Sequence, residues 1–208
     1  MNHAATNQGT AADLLRAARR LFASHGYDGT SVREITTAAG ANLGAITYHF
    51  GSKQELYHRI VSECSVPLAE AVIAALAHPE PVLGRVARVV RAYFDQLSSD
   101  EDTGRIMLQA IVIGKEPAEA ANLTMRRVHA ALHALVVEGQ RQGSIRAGDP
   151  RLLSLSIVSV PLHLVLIRRA LKVNALIDLD DPVERERAIL HAVRFVCEAL
   201  ATHPGDVT

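Results

Sequence analysis

Between Thr30 and Lys53 the chain reads TSVREITTAAGANLGAITYHFGSK, a run of hydroxyls, amides, an imidazole and two cations set among small residues. Paired carboxylates and nucleophile-base combinations are missing from it, so its chemistry is hydrogen bonding rather than bond breaking. Tyr48, His49 and Lys53 are donors that reach phosphate oxygens, contacts that position a protein on a duplex without reading its sequence. Thr30 or Ser31, together with Arg33, sits at a helix start, where backbone amides and the helix dipole attract phosphate. Gly44 and Ala45 are small enough to let a backbone approach a groove. Thr47 offers a methyl for thymine or a hydroxyl for a base edge. Asn42 and Leu43 lead into the same segment. Tyr48 also reads, alternatively, as a partly buried ring with an exposed hydroxyl.

Two short helices must carry these side chains. Ser31 and Glu34 form an S-x-x-E capping box, in which hydroxyl and carboxylate satisfy amides at a helix start. Val32, Ile35 and Ala39 recur on one face of that helix. Gly40 then supplies the positive φ that a sharp turn requires. Asn42 is the expected N-cap of the second helix, with Ile46 and Phe50 on its packing side and Gly44, Ala45 and Tyr48 on the other. Ahead of both, Thr10 to His25 is amphipathic through Leu14, Ala18, Leu21 and Phe22, with Gly26 placed as its C-terminal cap. Three helices can share one small core.

The run GTSVREITTAAGANLGAITYHFGSKQEL resembles the DNA-binding signature of the TetR family of bacterial transcriptional repressors, over roughly the first quarter of the chain. Family members often carry Lys or Arg where this chain has Leu43, and Tyr where it has Thr47. The resemblance implies an all-α fold in which a helix-turn-helix DNA-binding domain precedes a larger helical domain for ligand binding and dimerisation. It places the first domain at residues 10–56 and the second at 57–203, with flexible ends at 1–9 and 204–208. It implies a homodimer on double-stranded operator DNA of inverted-repeat form, a small-molecule effector, and no cofactor.

Beyond Lys53 no alternation of strand type persists. Helical stretches are expected from Gln54 to Ala77 with a kink near Pro67, from Pro81 to Leu97, and from Arg105 to Gly114. Further ones run from Pro117 to Gly143, Pro150 to Val173 and Pro182 to Ala201, bounded by Pro, Gly and acidic clusters. Tyr93, Phe94, Met107, Met125 and His129 can line an apolar ligand pocket, and read equally as plain core. His129 and His133 have i, i+4 spacing without the H-E-x-x-H frame of a metal site, so no metal is expected. In TetR proteins the last two helices form a four-helix bundle with a second copy. Here that implies an interface through Leu155, Val158, Leu162, Ile189, Val193 and Val196. The stretch from Leu152 to Ile167 is apolar nearly all round but too short for a bilayer, so no membrane partner is expected. His163 on it reads as a hydrogen-bonded core residue.

With 208 residues, 49% of them hydrophobic, the chain can bury a large core. Net charge is zero, yet residues 1–62 carry six Lys or Arg against four Asp or Glu. The remaining 16 and 18 leave the rest at −2. The mild positive excess lies on the end that reads as a DNA binder. The opening residues lack a charged segment followed by an apolar one, and the expected compartment is the cytoplasm. Cys64 and Cys197 lie outside any metal or redox spacing. No G-x-S-x-G elbow or glycine-rich phosphate loop points to an enzyme. A DNA-tethered helical adaptor without an effector remains the alternative to an effector-responsive regulator.

Overall fold

A computed structural model describes residues 3–98, 100–112 and 119–202. Helix α1 is His3–His25, α2 Val32–Ala38, α3 Ala45–Phe50, α4 Lys53–Leu76 and α5 Val82–Leu97. Then come α6 Glu101–Val112, α7 Glu119–Gln142, α8 Pro150–Leu166, α9 Arg168–Val173 and α10 Pro182–Leu200. Among the described residues the only strand-like pairing is a single bridge between Ile145 and Ala201. The fold is all-α. No described helix is long and apolar enough to cross a membrane.

Several boundaries differ from those expected. The first helix begins at His3 rather than Thr10, so the stretch expected to be flexible, 1–9, is helical from residue 3. The apolar run from Pro150 does not continue to Val173: Ile167 caps α8, and α9 starts anew at Arg168. Periodicity continues across that break, which is why the sequence hides it. Residues 204–208 and Pro117, expected to be a flexible end and a helix start, lie outside the described residues.

Two compact units emerge. The first comprises residues 1–65 and 100–122, the second 66–99 and 123–208. The first therefore extends past the 10–56 domain drawn from sequence, taking in the early turns of α4 and, from far along the chain, α6. Its core joins Leu14, Ala18 and Phe22 of α1 to Ile35, Ile46, Leu56 and Ile60, with Ile106 and Met107 from α6. Helix α6 packs along α1. At its N-terminus Asp100 accepts hydrogen bonds from the Thr103 amide (2.7 Å) and hydroxyl (2.8 Å). Arg19 of α1 donates to Asp100 (2.8 Å) and Thr103 (2.6 Å).

In the second unit α5 packs against α8 and α10, and α8 against α10. Val86, Val89, Val90 and Phe94 of α5, Ile157 of α8 and Ile189 of α10 are all buried in its core. The serines of α8 do not break it, because they bond to their own helix: Ser154 to the Arg151 carbonyl (2.8 Å), Ser156 to that of Leu152 (3.0 Å), Ser159 to that of Ser156 (2.9 Å). Gly139 of α7 is held by close approach, since a Cβ there would lie 2.6 Å from Ile145 and 2.9 Å from Val82. Both cysteines are buried thiols. Burial pushes the Cys197 thiol up to about 11 and the Tyr93 phenol up to about 12.

Candidate nucleic-acid interface

The site is assembled on α2 and α3 by local hydrogen bonds. Ser31 Oγ accepts from the Glu34 amide (3.1 Å) while the Glu34 carboxylate accepts from the Ser31 amide (2.6 Å), completing the capping box. These bonds hold the Glu34 carboxyl below its ordinary pKa. Helix α2 ends at Ala38, and Gly40 turns the chain at φ +63°. The next turn closes through backbone alone, the Ala45 amide donating to the Asn42 carbonyl (3.1 Å). Gly44, not Asn42, occupies the N-cap position, with no side-chain cap. Helix α3 is consequently only six residues long. It depends on packing against α1 and α2 rather than on its own ladder.

That packing decides which side chains face outward. Ile46 is buried, and so is Ala45, only 6% exposed, because the helix is pressed against its neighbours at the start. Ala45 is therefore corrected from a groove-facing position to a core one. Thr30 is likewise buried, its hydroxyl bonded to the Gly26 carbonyl (2.8 Å), so it closes the end of α1 instead of facing phosphate. The remaining candidates are exposed or half-buried. Ser31, Arg33, Asn42, Gly44 and Thr47 are exposed, Leu43 is 62% exposed, and Tyr48 is 74% exposed with its ring edge-on to His49 at 4.9 Å. An exposure that high excludes the partly buried alternative for Tyr48. Lys53, half-buried, opens α4 directly after the Gly51 turn.

A helix-turn-helix with this outward face has known relatives. The profile of the bacterial regulatory proteins of the tetR family matches residues 14–60, and that of the tetracyclin repressor-like C-terminal domain matches 83–196. The chain belongs to the TetR family. The HTH-type transcriptional repressor AcnR of Corynebacterium efficiens is 43% identical over 60 residues, which span 29% of this chain and 32% of that protein. Similarity to the first curated relatives is thus confined to about a third of their length. The HTH-type transcriptional activator FasR of Mycolicibacterium smegmatis is 24% identical over 191 residues, 92% of this chain and 83% of its own. Among solved structures, AibR in complex with isovaleryl coenzyme A and operator DNA superposes with a TM-score of 0.74 at 18% identity, covering 93% of this chain and 99% of that one. That likeness establishes the shared fold.

In this TetR-family chain the five residues expected around a ligand divide between the two units and differ in burial. Tyr93 and Phe94 are core of the second unit, and Met107 is core of the first. Met125 is half-buried and His129 exposed. Aromatic and Met residues at helical spacing have here their commoner role, filling interior space. A different concavity, of about 380 Å³, lies between the later turns of α4 and the start of α7. Val66, Ala69, Ile73 and Val128 give it apolar walls, with Glu70, Thr124 and Arg127 as polar groups.

The expected interface residues also divide. Val158, Ile189 and Val196 are buried within the chain, Leu162 and Val193 are half-buried, and Leu155 is exposed. The stripe beginning at Ile189 was the stronger apolar face of α10, and the stronger face packs on the protein's own core. Other large apolar side chains remain outside: Leu190, 55% exposed, and Phe195, 54% exposed, flank the buried stripe of α10 on either side, and Leu152 and Leu155 are exposed on α8. His163 is exposed there too, not buried as the apolar setting suggested. Sequence reading missed Leu190 and Phe195. Their mark was an apolar residue one position out of phase with the dominant stripe.

Proposed function

We propose that this protein is a transcriptional repressor that binds an inverted-repeat operator as a symmetric homodimer and leaves it when a small amphipathic effector binds. The observation that carries the reading is the outward face of α3. Gly44, Thr47 and Tyr48 project from a helix whose other side is buried, with Ser31, Arg33 and Lys53 beside them as phosphate contacts. Such a face fits a major groove: a glycine admits the backbone, one small side chain reads an edge, and flanking donors hold phosphates. The large apolar side chains exposed on α8 and α10, Leu152, Leu155, Leu190 and Phe195, support the dimer, since such side chains are more readily covered by a partner than left in water. Isologous pairing presents two reading helices, hence the inverted repeat.

For the effector, the concavity between α4 and α7 has the size of small-molecule sites, apolar walls and a few polar handles. AibR, similar in fold, was solved with isovaleryl coenzyme A. Among relatives AcnR is named a repressor and FasR an activator. Repression is proposed from the AcnR match, which has the higher identity, 43% over 60 residues against 24% over 191 for FasR.

The test is a mobility shift with DNA flanking the protein's own coding region, followed by footprinting and by titration with a panel of metabolites and drugs. The expected result is protection of two half-sites related by a two-fold axis and spaced by about 10 base pairs or a multiple. At least one compound should release the complex. Protection of a single asymmetric site overturns the dimer reading. Tight operator binding with release by no compound favours the adaptor.

A further inference from the structure

Lys53 is the first residue of α4, where a cation meets the positive end of the helix dipole and is disfavoured. Something else holds it there. Its Nζ lies 4.2 Å from the centroid of the Tyr27 ring, over the face, where the ring quadrupole attracts a cation. That ring is itself fixed. Tyr27 stacks on Phe22 at 6.0 Å and meets Tyr57 edge-on at 5.1 Å, while Phe22 and Tyr57 meet each other at 5.2 Å and are both buried. The start of α4 is fixed as well, because Ser52 Oγ accepts from the Glu55 amide (3.1 Å).

We propose that Tyr27 is a positioning residue for DNA binding: its ring holds the Lys53 ammonium where a backbone phosphate will lie, without touching DNA itself. The inference rests on the reading of Lys53 as a phosphate contact. A lysine has four rotatable bonds and loses much rotamer freedom when its ammonium docks. A ring that already holds the ammonium removes most of that loss before DNA arrives, the general benefit of preorganisation. The phosphate contact itself is sequence-independent, and so the effect of Tyr27 is the same on every duplex.

The test is a double-mutant cycle on the full chain, with affinity for flanking duplex measured for the parent, Lys53→Ala, Tyr27→Leu, Tyr27→Phe and the Leu/Ala double variant. Tyr27→Phe keeps the ring face and should bind like the parent. Tyr27→Leu should weaken binding about two- to fivefold, on any duplex, and this loss should vanish in the Lys53→Ala background. An equal loss in both backgrounds means the ring only supports the fold, and overturns the proposal. Tighter binding by Tyr27→Leu means the ring sequesters the lysine, and overturns it equally. If Lys53→Ala changes neither affinity nor salt slope, the phosphate reading falls and this inference with it, whereas a Lys53 effect without coupling removes this inference alone. Should Tyr27→Leu fail to fold, the NMR shifts of the Lys53 ε-methylene protons in the parent decide. Upfield displacement by the ring is expected, and unshifted resonances contradict the arrangement.

Discussion

Under the proposed function, Thr47 is the side chain on which sequence preference turns. It is exposed on α3, as are Gly44 before the helix and Tyr48 beside it, and it carries both a methyl and a hydroxyl. Thr47→Ala removes the hydroxyl and one methyl position. Affinity for the cognate operator should fall by about tenfold or less at one base step, while affinity for unrelated duplex stays as it was. Competition titration against operators altered at single steps measures this, and a uniform loss across all sequences would mean that Thr47 touches backbone only. Which residues face the groove was only partly legible in the sequence. The capping box of Ser31 and Glu34 was legible because both partners lie within one turn. Thr30 and Ala45 were not, because their burial comes from α1 and the close approach of the helices, which local spacing does not encode. Tyr27 was silent in sequence for the same reason: its partners Phe22, Lys53 and Tyr57 meet only in the folded unit.

At the scale of elements, most helix ends follow local rules. Asp149 and Asp181 cap α8 and α10, each followed by a proline at the first position. The start of α3 broke the rule because a backbone turn, not the Asn42 side chain, leads into it. The cap of α6 is the more consequential one. Asp100 both closes that helix and receives Arg19 from α1, so one carboxylate ties an element at the middle of the chain to the DNA-reading unit. Burial raises the Asp100 pKa, but the Thr103 bonds and the Arg19 charge outweigh it and hold the carboxyl below its ordinary range. A depressed folded pKa means a contribution fully present above the unfolded value, near 4, and lost as pH falls through the folded one. Asp100→Ala should lower stability by about 1 kcal/mol at neutral pH, read by urea unfolding. The deficit should narrow below about pH 4. A deficit independent of pH would show that the carboxylate charge has no part in it.

For the whole molecule, the all-α class and the two-part order from reader to helical body were legible from periodicity and punctuation. The membership of α6 in the first unit was not, since it joins residues some eighty positions apart, as the bond from Arg19 to Thr103 shows. The same non-local packing decides between core and interface on α10. Phe195→Asp, on the exposed face, should leave the fold intact and yield monomer in sedimentation, with operator affinity falling steeply. Ile189→Asp, in the core, should instead unfold the chain. A dimeric Phe195→Asp would move the interface elsewhere. Effector and operator, if both bind, must weaken each other by the same factor, of roughly 5- to 150-fold for a coupling of about 1 to 3 kcal/mol. The most direct test of the central claim is the affinity of the full chain for flanking duplex between about 50 and about 200 mM salt. With Arg33 and Lys53 on each of two protomers contacting phosphates, the log-log slope should be roughly −3 to −4. A duplex affinity indifferent to salt, or no binding at all, would contradict the account.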